Sequence, residues 1–119
     1  MLKKKLKINN AAGIVDIVNA VLVSVSWIVV LGAAVDEANA GGSSTVGTAS
    51  FFYIMAGVGL VLHIIGLVQS KKNGISNIGH VIGIVGCGVF LMSIAFALPA
   101  FVLLILAAVF TLMQKNIAV

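Results

Sequence analysis

The chain has little charge and few of the residues that carry most catalytic and metal chemistry. Only 8% of its 119 residues are charged, arginine is absent, and there is one cysteine and one proline. Soluble domains contain about 25% charged residues. A chain this short cannot bury a composition that is 61% hydrophobic. Its surface is therefore expected to face lipid, which predicts an integral membrane protein.

These scarcities also exclude several functions. The single Cys87 cannot form an intrachain disulfide, and with two histidines in separate segments it lacks the paired spacing of a zinc site. The sequence has no glycine-rich phosphate loop followed by Lys-Ser/Thr and no nucleophile–base pair. Aromatic and basic residues do not interleave, as they do in nucleic-acid interfaces. We therefore expect no enzyme, no metal, no cofactor and no nucleic-acid partner.

Polar turns divide the chain into four apolar segments. The predicted helices cover residues 11–35, 50–69, 77–97 and 99–115. Helices of about 17–25 residues can cross a bilayer at ~1.5 Å per residue, and the chain is expected to cross it four times. Pro99 interrupts the apolar run 81–112 and suits the first turn of a fourth helix, where its missing N–H is not needed. The predicted fold is an all-α membrane four-helix bundle, a single domain over residues 1–119 with short loops.

The cationic residues predict how this bundle is oriented. All seven are lysines at the edges of the apolar segments: Lys3, Lys4, Lys5, Lys7, Lys71, Lys72 and Lys115. The first loop, 36–49, contains Asp36 and Glu37 and no lysine, and its Gly, Ser and Thr residues indicate a mobile loop. Because lysines mark the cytoplasmic side, both termini are predicted to be cytoplasmic in a multi-pass protein of the cell membrane. The lysine-rich residues 1–10 are expected to contact anionic headgroups.

A cleaved signal peptide is the alternative interpretation of the first segment. Ala38-Asn39-Ala40 resembles a cleavage site, and the preceding lysines resemble its basic region. The apolar segment is longer than the usual 7–15 residues and contains Asp16. We therefore expect a retained membrane helix.

Small residues recur along single helix faces. Gly79 and Gly83 have the spacing that lets membrane helices approach closely. The glycines predicted to serve helix packing are Gly59, Gly66, Gly79, Gly83 and Gly86. Packing within the chain is favoured over a dimer interface, although the pattern also occurs between chains.

Four polar residues within the apolar segments form the candidate proton or ion site: Asp16, Asn19, His63 and His80. The helix rise places the acid and both histidines in the inner half of the bilayer. Ionisable residues at this depth are candidates for proton relays and ion pathways. They also serve as polar bonds between helices, at about 0.6 kcal/mol each on average. The structural interpretation is favoured, and the transport interpretation stays open.

Four helices in a short chain, with one acid in the first helix, resemble the small multidrug-resistance transporters. In that family a glutamate of helix 1 binds a proton and a cation alternately, which implies such a role for Asp16. The resemblance covers the architecture and this acid. The surrounding Ile14-Val15-Asp16-Ile17-Val18 does not reproduce the family motif.

Three functions are compatible with these features. The first is a non-enzymatic helical subunit or modulator, such as a bacterial accessory subunit or toxin-immunity protein, assembling with itself or another membrane protein. The second is a small proton- or ion-coupled transporter that uses Asp16 and the histidines. The third is a holin-like pore former, although no helix has the strongly polar face that a wide channel needs.

Overall fold

A computed structural model of the protein describes residues 5–115, except for the side chain of Ile94, and this range contains no strand. Its helices are α1 (Lys7–Ala40), α2 (Ser44–Lys72), α3 (Ile78–Met92) and α4 (Ala97–Met113), with a 3-10 turn at Ile94–Phe96. Each helix packs against the next, and α4 packs against α1. The all-α, four-helix architecture is therefore confirmed. Lys3 and Lys4, which belong to the lysine-rich residues 1–10, lie outside the described residues.

The first connection is much shorter than the predicted loop 36–49. The helix predicted to end at Val35 continues to Ala40, because Glu37 and the alanines are good helix formers. It ends where Gly41 and Gly42 adopt φ angles of 79° and 103°, which glycine reaches without a steric penalty. The helix predicted to begin at residue 50 already begins at Ser44. The loop prediction was therefore wrong except at residues 41–43.

The third and fourth helices are shorter than the first two. The helix predicted over 77–97 stops at Met92, because Ser93 is extended and its hydroxyl accepts the Ala95 N–H at 3.1 Å. The fourth helix begins at Ala97, which puts Pro99 within its first turn. With 15 and 17 residues, α3 and α4 are ~22 and ~25 Å long, whereas α1 and α2, with 34 and 29 residues, are ~51 and ~44 Å long. The hairpin of α1 and α2 is thus much longer than that of α3 and α4.

Hydrogen bonds at one end of the bundle join the C-terminal end of the described chain to the α2–α3 turn and to the beginning of α1. The Ser76 N–H donates to the Lys115 carbonyl at 2.7 Å. The Gln114 side chain accepts the Leu6 N–H at 2.6 Å and donates to the Asn10 side chain at 2.7 Å. The lysines in the described range all belong to this end, which we call the lysine end: Lys5, Lys7, Lys71, Lys72 and Lys115.

The outer surface of the bundle is apolar. Large hydrophobic side chains are exposed on every helix, and Ile28, Met92 and Leu98 each have about three quarters of their surface exposed, at 75%, 78% and 75%. By length and composition, α1 and α2 are both candidate membrane spans, and α3 and α4 are shorter apolar helices. Monomeric soluble proteins rarely expose apolar surface so continuously.

The interior divides into two regions along the bundle. Towards the lysine end it holds buried polar side chains from α1, α2 and α3. Away from that end it is mostly apolar, with Tyr53 and Phe90 in ring contact at 5.6 Å between centroids, and the buried Ser26 hydroxyl there donates to its own helix. The apolar core comprises Ala20, Val23, Phe52, Ala56, Cys87, Phe90, Ala97, Ala100 and Leu104.

Candidate functional site

Three of the four predicted site residues meet in the interior. His63 lies between the other two, and its Nε2 is 2.7 Å from Asp16 Oδ1. Its Nδ1 is 3.0 Å from Nδ1 of His80. The side chains come from α1, α2 and α3, and each is at most 1% exposed. A carboxyl group and two imidazoles thus form one hydrogen-bonded row across three helices.

Two further residues extend this row to the lysine end. Nε2 of His80 is 2.8 Å from Oδ1 of Asn9, and Nδ2 of Asn9 donates to Ser70 Oγ at 2.9 Å. Both are buried, although the predicted helix boundaries leave both outside the helices, Asn9 within the lysine-rich residues 1–10 and Ser70 between the segments 50–69 and 77–97. We call the whole set the polar chain: Asp16, His63, His80, Asn9 and Ser70.

Asn19 lies beside the polar chain without joining it. It is one helical turn beyond Asp16 and is 2% exposed, but its Nδ2 donates to the Met55 carbonyl at 3.0 Å. This bond joins α1 to α2 at the boundary with the apolar core. The structure therefore separates Asn19 from the other three predicted residues.

The predicted packing glycines fall into two groups. Gly66 lies against the ring of His80, and Gly83 against the ring of His63, so a Cβ at either position would overlap an imidazole. A Cβ on Gly59 would lie 2.8 Å from Asn19 Nδ2. These three glycines make room for polar side chains.

The remaining two glycines serve the contact between α3 and α4. A Cβ on Gly79 would overlap Thr111, and one on Gly86 would lie 3.1 Å from Cβ of Leu103. Their absent side chains let the two helix backbones approach closely. The small-residue stripe of α3 thus faces two different helices, α2 and α4.

A repeated sequence pattern connects the histidines with their glycines. His63-Ile64-Ile65-Gly66 in α2 is matched by His80-Val81-Ile82-Gly83 in α3. Because α2 and α3 are antiparallel, the histidine of each tetrapeptide lies over the glycine of the other. Each of these four residues was named individually from the sequence. The repeated His-x-x-Gly pattern is the sequence signal from which their pairing could have been predicted.

The direction of each hydrogen bond follows from the Asn9 amide. Its Oδ1 can only accept, so His80 Nε2 carries a proton and donates it. In neutral His80, Nδ1 then accepts from Nδ1–H of His63. The last proton lies between His63 Nε2 and Asp16. Either Asp16 is a carboxylic acid that donates to a neutral imidazole, or it is a carboxylate that accepts from an imidazolium. The two forms have the same net charge.

Two buried oxygens have no hydrogen-bond partner within the described range, Asp16 Oδ2 and Thr111 Oγ1. Burying a carboxylate with one unpartnered oxygen costs much free energy in an apolar interior. Burying the unpartnered carbonyl oxygen of a neutral Asp16 costs much less. This favours the arrangement in which Asp16 carries the proton on Oδ1 and donates it to His63.

The polar chain is not arranged as a metal site. His63 uses both ring nitrogens within the row, and within residues 5–115 no three His, Cys, Asp or Glu side chains are placed to hold an ion. Cys87 is buried in the neighbouring apolar core, and its sulfur lies near Gly59. The arrangement is suited to holding and passing protons along a row.

A second polar contact joins α1 to α2 at the opposite end of the bundle. Oε2 of Glu37 accepts the Thr45 backbone N–H at 3.0 Å, in the first turn of α2. The Ser43 side chain makes no such cap. Hydrogen bonds from the Thr45 hydroxyl and N–H hold the pKa of the Glu37 carboxyl below its ordinary value. Glu37 therefore caps α2 from the preceding helix, where its negative charge also complements the helix dipole.

Comparison with protein-family models, curated proteins and solved structures gave no match. The interpretation of the site therefore rests on its own geometry and chemistry.

Proposed function

We propose that the protein is a multi-pass membrane protein with both termini in the cytoplasm, acting as a non-enzymatic helical subunit or modulator. The apolar exterior and the separation of lysines from Asp36 and Glu37 support the membrane orientation. Its partners are then the bilayer, with anionic headgroups at the lysine end, and either a second copy or another membrane protein.

The observation that carries this function is the position at which the polar chain ends. Beyond Asp16 and Asn19, the interior described here consists mainly of the apolar core, including Phe52, Phe90 and Leu104. The one buried polar side chain on the described residues of this region, Ser26, donates to the Val23 carbonyl of its own helix at 2.7 Å. A polar route across the membrane would need polar groups or water in this region. The polar chain instead joins α1, α2 and α3 within one half of the bundle. Such bonds hold a membrane bundle in a single arrangement.

Assembly is the property that tests this function. The protein is crosslinked in native membranes and then purified in a mild detergent, and the mass of the particle is measured after subtraction of bound detergent. We expect a homo-oligomer or a stoichiometric complex with another membrane protein. A monomer without any crosslinked partner in the membrane would contradict the proposal.

A small proton- or ion-coupled transporter is the second candidate, favoured by three titratable groups in one hydrogen-bonded row. Its test is proton-coupled flux in proteoliposomes, comparing wild type with Asp16→Asn and with Asp36→Asn as the matched control. Transport through the polar chain predicts flux in wild type and Asp36→Asn and none in Asp16→Asn. Absence of flux in wild type, or equal flux in all three, removes this candidate.

A further inference from the structure

The side-chain amide of Asn9 is placed where it can reverse the direction of the polar chain. It lies between His80 Nε2 and Ser70 Oγ, at 2.8 and 2.9 Å, and presents its oxygen to the first and its NH₂ group to the second. Ser70 Oγ is also 3.3 Å from Asn9 Oδ1, so serine is placed to donate as well as accept. Either orientation of the amide therefore gives Asn9 a partner on both sides.

In the arrangement described above, three protons occupy the row from Asp16 to Asn9. One lies between Asp16 and His63, one between the two histidines, and one on His80 Nε2. The acid and the two imidazoles together have no net charge. Every hydrogen bond in the row then points from Asp16 towards the lysine end.

Turning the amide reverses every bond in that row. Asn9 Nδ2 would donate to His80 Nε2, His80 Nδ1–H to His63 Nδ1, and His63 Nε2–H to an Asp16 carboxylate. Ser70 would donate to Asn9 Oδ1. The acid and imidazoles now hold two protons and have a net charge of −1. The two arrangements satisfy the same contacts and differ by one proton.

We propose that the polar chain is a binding site for one proton, filled and emptied from the lysine end, with the Asn9 amide turning as the proton leaves. On release, the proton on His80 Nε2 passes to water. The proton on His63 Nδ1 moves to His80 Nδ1, and the Asp16 proton moves to His63 Nε2, leaving a carboxylate. No other bond is made or broken. The negative charge therefore appears on Asp16, about 10 Å along α1 from Asn9 at ~1.5 Å per residue.

The surroundings leave one direction for exchange. Ser70 is followed directly by exposed Lys71, and Asn9 by exposed Asn10, whereas the other end of the row meets the apolar core. The remaining titratable side chain near Asp16 is Cys87 of α3, and α4 has none between Ala97 and Met113. That the lysine end faces the cytoplasm rests on the proposed function, but the one-proton site itself does not.

Nitrogen-15 NMR of protein labelled at histidine and asparagine in lipid bilayers tests the proposal, and the histidine signals are simple to assign because the chain has only two histidines. At the pH where the site is filled, we expect different tautomers, Nδ1–H for His63 and Nε2–H for His80. On raising the pH, His80 should change to Nδ1–H and His63 to Nε2–H in one transition, with a simultaneous change in the Asn9 amide signals. One proton per chain should be released in weakly buffered vesicles.

Asp16→Asn provides the matched variant, because an amide at position 16 keeps a hydrogen-bond partner for His63 Nε2 but cannot release a proton. Because the titratable acid is gone, the variant should release no proton and show no pH-dependent change of either tautomer, while Asp36→Asn behaves as wild type. Two wild-type histidines with the same tautomer at every pH, or with separate transitions, would overturn the proposal without requiring any variant to fold. A monomeric or partnerless protein would contradict the subunit function and leave this result unaffected.

Discussion

The imidazole of His63 lies directly over Gly83, in the space that a side chain at that position would occupy. Because His80 lies over Gly66 in the same way, α2 and α3 each provide one histidine and the opening that receives the other. The two rings meet at 5.2 Å between centroids. The glycines are therefore part of the site as well as of helix packing.

Replacing Gly83 by alanine should destabilise the bundle, because the new Cβ overlaps His63. Overpacking of this kind costs about 1–3 kcal/mol. Gly88→Ala is the control, since a Cβ at Gly88 has no neighbour within 4 Å. Both changes gain ~1 kcal/mol of helix propensity, so the difference between them isolates the overlap. Thermal unfolding in detergent micelles measures the stability of both variants. Equal stability would contradict the close contact between Gly83 and the His63 ring.

Substitutions of Asp16 should separate its hydrogen bond from its charge. Asp16→Asn keeps a donor for His63 Nε2, so we expect a loss of less than about 1 kcal/mol relative to wild type. Asp16→Ala leaves the buried His63 nitrogen without a partner and should cost about 1–3 kcal/mol. The free energy of unfolding in micelles measures both. An equal loss in both variants would instead indicate a charged Asp16–His63 pair, because both variants remove the carboxylate.

The Glu37–Thr45 contact should loosen at acid pH. Because the pKa of Glu37 is lowered in the folded protein, its contribution is complete above the ordinary glutamate pKa of ~4.3. It is lost as the pH falls through the lowered value. The Thr45 amide shift, followed by NMR in micelles, should show this transition in wild type and Asp36→Asn. Its persistence in Glu37→Gln would show that another group is responsible.

The sequence was sufficient for the number and class of the helices and for the residues at the centre of the site. Asp16, His63 and His80 could be placed at similar depths because helix rise is constant and the lysines mark one end. Asn9 and Ser70 could not be placed, because both lie within two residues of a lysine. Their burial also depends on the helices extending past the predicted boundaries. The bonding of Asn19 to Met55 depends on helix rotation, which depth alone does not give.

The helix boundaries show a related limit. Gly41-Gly42 is a turn signal, but the Gly/Ser/Thr composition of the entire stretch favoured a long loop. In the structure, Glu37 stabilises the start of α2 across the connection, and this contact exists only once both helices have formed. The early end of α3 at Met92 likewise depends on the Ser93 hydroxyl, whose bond to the Ala95 N–H competes with helix continuation.

The orientation of the lysine end is tested most directly with two matched cysteine variants, Ser43→Cys in the α1–α2 connection and Ser76→Cys in the α2–α3 turn. Wild type is the background control, because Cys87 is fully buried, with 0% of its surface exposed. A membrane-impermeant maleimide added to intact cells should label Ser43→Cys, and should label Ser76→Cys only after the membrane is permeabilised. Labelling of Ser76→Cys but not Ser43→Cys in intact cells would contradict the account.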